Sequence, residues 1–258
     1  MIFNQTITNN SHDLANAVLM KTISHYSDST ISFIGEAGFF AAHSLQDCYI
    51  ENCTLISSTA FAWCTSLSKI SAPKCSFISV SAFWACNQLT TINSMSFPLC
   101  STVSSYAFHS CTGLSYVNFP ACLTIASYAF HKCTALTTAV FEECSSIGYG
   151  AFSSCSSLTD VSMPKVETVG SIAFGTCKSL TTLSFPKCSM ISAQAFYNGG
   201  VSSLYLPGSY VAILANSNAF TGTPIARGTG YIYVPSSLFD TYKSAPNWSF
   251  FFSRLVSI

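Results

Sequence analysis

Apolar residues return along this chain at a nearly constant interval. The clearest marker is the phenylalanine of a repeated Ala-Phe-x-x-Cys motif, which recurs every 22 residues with a single step of 25. A repeat of this length is typical of a solenoid, in which each coil buries its apolar side only by stacking on its neighbours. We therefore predict that the repeated phenylalanines form one structural column in the core: Phe61, Phe83, Phe108, Phe130, Phe152, Phe174 and Phe196.

A second pattern predicts a short strand in every coil. In Leu180-Thr-Thr-Leu183-Ser-Phe185-Pro the apolar residues Leu183 and Phe185 alternate with polar ones, as in a strand with one buried face. A proline follows most copies and is expected to end the strand, because it cannot continue the hydrogen-bonded ladder. One coil has three extra residues within 93–97, which we expect to bulge from the sheet edge or the strand end. The pattern predicts a repeat solenoid with a parallel β-sheet.

Both ends of the repeat array depart from this pattern. Leu14, Val18, Leu19 and Ile23 follow Asp13 at roughly helical spacing, which predicts an amphipathic helix that covers the first coil. The first coil itself is degenerate, because alanine stands where later coils have the motif cysteine.

The C-terminal end predicts an α/β cap. A strand at 231–234 is followed by a helix with Leu238, Phe239 and Tyr242 on one side, and a final apolar cluster is expected to seal the last coil. That cluster comprises Trp248, Phe250, Phe251, Phe252, Leu255 and Ile258. The chain is thus divided into an N-terminal cap (1–30), a solenoid of about eight coils (31–220) and a C-terminal cap (221–258).

Composition narrows the class of partner. Only 8% of residues are charged, ten basic and ten acidic, whereas about a quarter is usual. Without a basic stripe we expect no nucleic-acid partner. The mean hydropathy is +0.42, but no apolar run is long enough for a transmembrane helix, so no membrane insertion is expected. Residues 1–10 lack the basic and apolar regions of a secretory signal. The sequence is compatible with three locations: inside the cell, outside the cell or on its surface as a mature fragment, and in a phage particle.

The thirteen cysteines follow the same period. Six close the motif, at 64, 86, 111, 133, 155 and 177, and six more lie 11 residues before such a position or its counterpart, at 53, 75, 100, 122, 144 and 188, which leaves Cys48. Residues that recur once per coil stack in columns, where cysteine acts as a small apolar filler. We predict a ladder of free, buried thiols rather than disulfides.

Candidate chemistry is sparse. His109 and His131 each precede a motif cysteine by two residues, a combination that suggests zinc, but the buried cysteine and the variable histidine are expected to point in opposite directions. No Gly-x-Ser-x-Gly motif and no phosphate-binding glycine-rich loop is present. We expect no metal, no cofactor and no enzymatic activity.

Two surfaces are candidates for binding. Aromatic residues flank the motif phenylalanine on successive coils, where exposed rings favour interaction: Trp63, Trp84, Tyr106, His109, Tyr128 and His131. The alternative interpretation is that these rings only pack on the neighbouring coil. The second surface is the outward, concave face of the strands, and includes Asp47, Tyr49, Lys69, Tyr116, Asn118, Asp160 and Tyr205.

The combined unit, Leu-x-x-Ile/Val-x-x-Pro followed by Ile-x-x-x-Ala-Phe-x-x-Cys, resembles the BspA-like leucine-rich repeats of bacterial and phage-encoded surface proteins. This resemblance implies right-handed leucine-rich-repeat coils and a non-enzymatic adhesion or interaction module with a protein or glycan partner. The alternative function is that of a tail-associated structural or receptor-binding protein of a phage virion. The resemblance implies no shared catalytic residue.

Overall fold

The computed structural model describes residues 22–258, which form a parallel β-solenoid followed by an α/β cap. Each coil contributes one strand to each of two sides. The strands on the first side are β1 (His25–Ser27), β3 (Asp47–Tyr49), β5 (Lys69–Ser71), β7 (Thr91–Ile92), β9 (Tyr116–Asn118), β11 (Thr138–Val140), β13 (Asp160–Ser162), β15 (Thr182–Ser184), β17 (Ser203–Tyr205), β19 (Tyr231–Val234) and β20 (Leu255–Ser257). We call this side the long-strand face.

The second side is one continuous nine-stranded sheet of two-residue strands. Its members are β2 (Phe33–Ile34), β4 (Leu55–Ile56), β6 (Phe77–Ile78), β8 (Thr102–Val103), β10 (Thr124–Ile125), β12 (Ser146–Ile147), β14 (Thr168–Val169), β16 (Met190–Ile191) and β18 (Ile213–Leu214). The register repeats the sequence period, since Thr124 pairs with Ser146 and Ile125 with Ile147. The predicted parallel solenoid of roughly 22-residue repeats is therefore confirmed.

The alternation in the strands decides which residues enter the core. In β15, Leu183 is buried between exposed Thr182 and Ser184, and Phe185 is buried directly after the strand. The same inward position on β3 holds Cys48, which explains the one cysteine outside the two periodic sets. All thirteen thiols are buried and free.

The phenylalanine column is continuous from Phe39 to Phe220. Successive ring centroids lie 5.0–6.1 Å apart and most planes are within 6° of parallel, as between Phe108 and Phe130 (5.3 Å, 1°). Every phenylalanine of the predicted column has no exposed surface. Since each ring contacts one ring above and one below, the column joins neighbouring coils into a single core.

The long-strand face is divided into three parts, β1-β3-β5, β7-β9-β11-β13 and β15-β17-β19-β20. The first break coincides with the three extra residues. The side chain of Asn93 accepts hydrogen bonds from the backbone N–H groups of Met95 (2.9 Å) and Ser96 (3.1 Å), so the insertion forms a turn immediately after the two-residue strand β7. Met95 extends from this turn and is largely exposed.

The N-terminal cap was predicted to be helical, and residues 1–21, which carry most of that prediction, lie outside the described part of the chain. Residues 22–30 contain strand β1 and no helix. Tyr26 is buried between exposed His25 and Ser27, and the strand pairs with β3 in the register of the later coils. Three residues of alternating polarity are enough for a strand here because the neighbouring coil supplies the pairing partner.

The α/β cap at the C-terminus is present. After β19 come a 3-10 helix (Ser236–Leu238), helix α1 (Phe239–Ser244) and a second 3-10 helix (Trp248–Arg254), while another 3-10 helix (Ser217–Phe220) belongs to the last coil. Tyr242, Trp248 and Phe251 are buried and seal the column at Phe220. The expected cluster is only partly internal, because Phe250, Phe252 and Ile258 are exposed: alternate residues of the irregular segment point away from the coil.

Candidate binding surface

The Ala-Phe-x-x-Cys turns stack into a third side of the solenoid, which we call the motif edge (residues 59–64, 81–86, 106–111, 128–133, 150–155, 172–177 and 194–199). Its backbone forms a ladder. The N–H groups of Phe61 and Trp63 donate to the carbonyls of Ala82 and Trp84 on the next coil, both at 2.7 Å. The intervening N–H of Ala62 instead donates within its own turn, to Thr59 (3.0 Å). Alternate amides therefore tie each turn to its neighbour, which makes the edge rigid.

This ladder requires left-handed backbone at two positions of each turn. One is the residue before the motif alanine and the other is the residue before the cysteine; for example, φ is 54° at Thr59 and 64° at Trp63. Left-handed conformation is costly for residues with a Cβ atom, and glycine tolerates it. The equivalent of Thr59 is Tyr106 (60°), Tyr128 (59°) and Gly150 (59°) on later coils. The fold therefore accepts glycine at a position where two coils carry tyrosine.

The structure brings the six predicted aromatic residues into one contiguous cluster. Trp63 lies 6.3 Å from Trp84, which lies 5.4 Å from His109, measured between ring centroids. The histidine rings of His109 and His131 are 5.0 Å apart. Tyr106 stacks on Tyr128 at 5.1 Å with planes 19° apart. The rings thus run along the stacking direction over four coils.

Tyr149 extends the cluster and was missed by the sequence analysis. Its ring meets Tyr128 edge-on at 5.1 Å, and the two side chains share a hydrogen bond that raises the pKa of Tyr128. We call these seven residues the aromatic row. Trp63, Trp84, Tyr106 and Tyr149 each keep 38–44% of their surface exposed, so the row is open to solvent. The available signal was the aromatic residue beside Gly150, at a position that is polar in several other coils.

The two histidines are fixed in position. Nδ1 of His131 donates to the carbonyl oxygen of Ser153 (2.8 Å), and Nδ1 of His109 is 2.9 Å from Oγ of Ser110. Burial lowers the pKa of His109 to about 4, with a smaller contribution from the charges of His131 and Lys132. Burial also lowers the pKa of His131. Both rings are therefore neutral at neutral pH.

The histidines do not combine with the motif cysteines. The thiols of Cys111 and Cys133 donate to backbone carbonyls in the core, on the opposite side of the turn from the imidazole rings. Among residues 22–258, no group of three or more His, Cys, Asp or Glu side chains is placed to hold a metal ion. The same part of the chain contains no helix of the length and apolarity that a membrane span requires.

The alternative surface residues all lie on the long-strand face. Nδ1 of His25 lies 2.9 Å from a carboxylate oxygen of Asp47, which is the register partner of Lys69 on the next strand. On β9, the side-chain amide of Asn118 donates to the hydroxyl of Tyr116 (3.3 Å). The others are Tyr49, Asp160 and Tyr205, of which Tyr205 stacks on Tyr233 at 4.3 Å. These side chains are spread over three separate sheets rather than one continuous row.

Comparison with protein families agrees with the repeat geometry. A model described as a BspA type leucine-rich repeat region matches residues 8–99 and 101–226, in six copies. The chain belongs to this family. A comparison with curated proteins found no match for this BspA-type chain.

Solved structures similar to this BspA-type chain include three proteins from bacteria. A leucine-rich cell surface protein from Faecalibacterium prausnitzii is 17% identical, with a TM-score of 0.42, over 86% of this chain and 79% of that one. A leucine-rich repeat protein from Bacteroides ovatus is 19% identical, with a TM-score of 0.33, over 94% and 85%. One from Eubacterium ventriosum is 17% identical, with a TM-score of 0.36, over 83% and 87%.

Proposed function

We propose that this BspA-type chain is a non-enzymatic adhesion module that attaches to a protein or glycan through the aromatic row. The observation that carries the proposal is the contiguity of seven aromatic side chains, four of them substantially exposed, on one rigid edge. Contiguous exposed apolar surface marks interaction sites, and Trp and Tyr are enriched there because they bury a large area with little loss of side-chain entropy.

The aromatic residues are not required by the fold. The position after the motif phenylalanine holds Trp84, His109 and His131 on three coils, but Ala62 and Ser153 on the coils either side. The core contacts between coils are made by the phenylalanine column instead, whose members are fully buried. The core therefore does not require the rings, whereas a shared partner that spans several coils gives a reason for them.

The test is attachment of the purified protein to a panel of fixed bacterial and mammalian cells. The row variant carries Trp84→Ala, Tyr106→Ala and Tyr128→Ala, and a matched control carries Tyr49→Ala, Tyr116→Ala and Tyr205→Ala on the long-strand face. Circular dichroism and thermal unfolding first establish that both variants are folded.

We expect the row variant to lose attachment and the control to retain it, with little effect of salt because the row is nearly uncharged. Equal attachment by the wild type and the folded row variant would overturn the proposal. Loss in the control alone would move the site to the long-strand face.

A further inference from the structure

We infer that the partner of the aromatic row is an uncharged oligosaccharide chain that lies along the stacking direction of the coils; this inference rests on the proposed function. Its first support is area. An aromatic side chain presents about 150–250 Å² when fully accessible, so the four rings that are about two-fifths exposed offer roughly 250–400 Å². A stable protein partner typically buries about 800 Å² on each side. The row is too small and narrow for such a partner but matches one side of a short glycan.

The second support is charge. The turns that carry the row, residues 58–64, 80–86, 105–111, 127–133 and 149–155, contain no carboxylate and a single lysine, Lys132. His109 and His131 are neutral at neutral pH because they are partly buried. A charged partner would therefore meet almost no opposite charge on this surface. A neutral sugar needs no charge on the protein.

The third support is the match of chemistry and spacing. The rings lie at centroid steps of 5.0–6.3 Å, one coil after another, and four of them are partly exposed. A pyranose with equatorial hydroxyls exposes C–H groups on both faces and hydroxyls at its rim, and in an extended chain it advances by about its own width. Its C–H groups can contact the exposed parts of the rings, while its hydroxyls reach the phenol groups of Tyr106, Tyr128 and Tyr149, which lie at the same edge.

The fourth support is preorganisation. The ring of Tyr128 lies so close to Gly150 that a Cβ atom there would be 2.7 Å from it, and its other face stacks on Tyr106. The imidazole of His131 is held by Ser153. Side chains fixed in this way lose little entropy when a ligand binds, which favours a shallow site with few contacts.

The inference is tested by isothermal titration calorimetry with cellobiose, cellotetraose and cellohexaose, and by an array of neutral and anionic glycans. We expect neutral, equatorially linked glycans to bind, with affinity that increases with chain length as more coils are contacted. The row variant should bind at least about tenfold more weakly, and the long-strand control should match the wild type. Raising the salt concentration should change the affinity little.

Several outcomes separate this inference from the proposed function. If attachment to cells depends on the row, is lost after protease treatment of the cells and no neutral glycan binds, then the partner is a protein: the inference is wrong and the proposed function stands. Binding of anionic glycans alone would also overturn the inference. If neither glycan binding nor attachment to cells depends on the row, both fail together.

Discussion

The thiol of Cys133 donates a hydrogen bond to the backbone carbonyl oxygen of Phe108, 3.1 Å away on the preceding coil. That oxygen also accepts from the backbone N–H of Cys111 (3.2 Å), so both of its acceptor sites are used. The other motif cysteines repeat the contact, as Cys155 does with Phe130 (3.1 Å). The second column differs, because each thiol donates within its own turn, as Cys122 does to Thr124 (3.3 Å). The cysteines are therefore hydrogen-bond donors as well as apolar fillers.

The first prediction follows from the burial of the cysteines. Burial raises the pKa of Cys111 and Cys177 to about 12, so the reactive thiolate is scarce at neutral pH and reagents have no access. Titration with a thiol reagent should find few reactive groups in the native protein and close to thirteen after denaturation without reductant. A denatured count near one would indicate six disulfides and would contradict the ladder of free thiols.

The second prediction concerns the phenylalanine column. Phe130 stacks between Phe108 (5.3 Å) and Phe152 (5.2 Å) and has no exposed surface. Phe130→Ala should lower the free energy of unfolding by about 3–5 kcal/mol, because it removes a buried ring and leaves a cavity between coils. Denaturant unfolding monitored by circular dichroism measures this change.

The matched control is Phe250→Ala, since Phe250 is 72% exposed in the C-terminal cap. Its free energy of unfolding should stay within about 0.5 kcal/mol of the wild type. Similar losses in the two variants would mean that burial in the column does not determine the cost.

The sequence predicted the repeating features of the fold well because the same residue pattern recurs in every coil. A 22-residue period in phenylalanine and cysteine can only be satisfied by stacked equivalents, and residues such as Phe130 and Cys133 lie where the period puts them. Features that occur only once were harder to predict from the sequence. Strand β1 is three residues long and depends on pairing with β3, and the outward direction of Phe250 depends on an irregular 3-10 segment.

The aromatic row shows the same limit. The positions of Trp84, His109 and His131 are equivalent in the repeat, so the period predicts that they are neighbours. Tyr149 is one residue out of step with Tyr128, and the missing side chain at Gly150 leaves room for the ring of Tyr128, which meets that of Tyr149. Side-chain contacts between non-equivalent positions depend on local features that the period does not specify.

The third prediction tests the turn at Gly150. Gly150 has a φ of 59°, and an added Cβ would lie 2.7 Å from the ring of Tyr128. Gly150→Ala should destabilise the protein by about 1–2 kcal/mol through the left-handed backbone alone, and it should also displace the ring of Tyr128 from the row. Thermal unfolding measures the first effect, and the ring chemical shifts of Tyr128 in an NMR spectrum measure the second.

Gly35→Ala is the control for this substitution, because its Cβ would come no closer than 4.0 Å to a neighbouring atom, the ring of Phe33, and no left-handed angle is involved. This variant should be as stable as the wild type or slightly more stable. If Gly150→Ala also leaves the stability and the chemical shifts of Tyr128 unchanged, then glycine at this turn is not needed to hold the ring of Tyr128 in place.

The fourth prediction concerns pH. An unfolded histidine has a pKa of about 6.5, and burial lowers the pKa of His109 to about 4 and lowers that of His131 as well. Between these values the unfolded chain binds more protons than the folded one, so the stability contributed above about pH 6.5 is lost as the pH falls towards about 4. Protonation would also place two positive charges on rings 5.0 Å apart, next to Lys132. We expect the midpoint of thermal unfolding to fall across this range, and the midpoint of the wild type to fall more steeply than that of a variant with His109→Asn and His131→Asn.

The control for this prediction is His43→Asn, since His43 is an exposed histidine on the first coil, and this variant should follow the wild type. NMR titration of the imidazole protons gives the two pKa values directly. Equal slopes for the wild type and the double variant, or midpoints near 6.5 for both rings, would show that the row does not exclude water from these histidines.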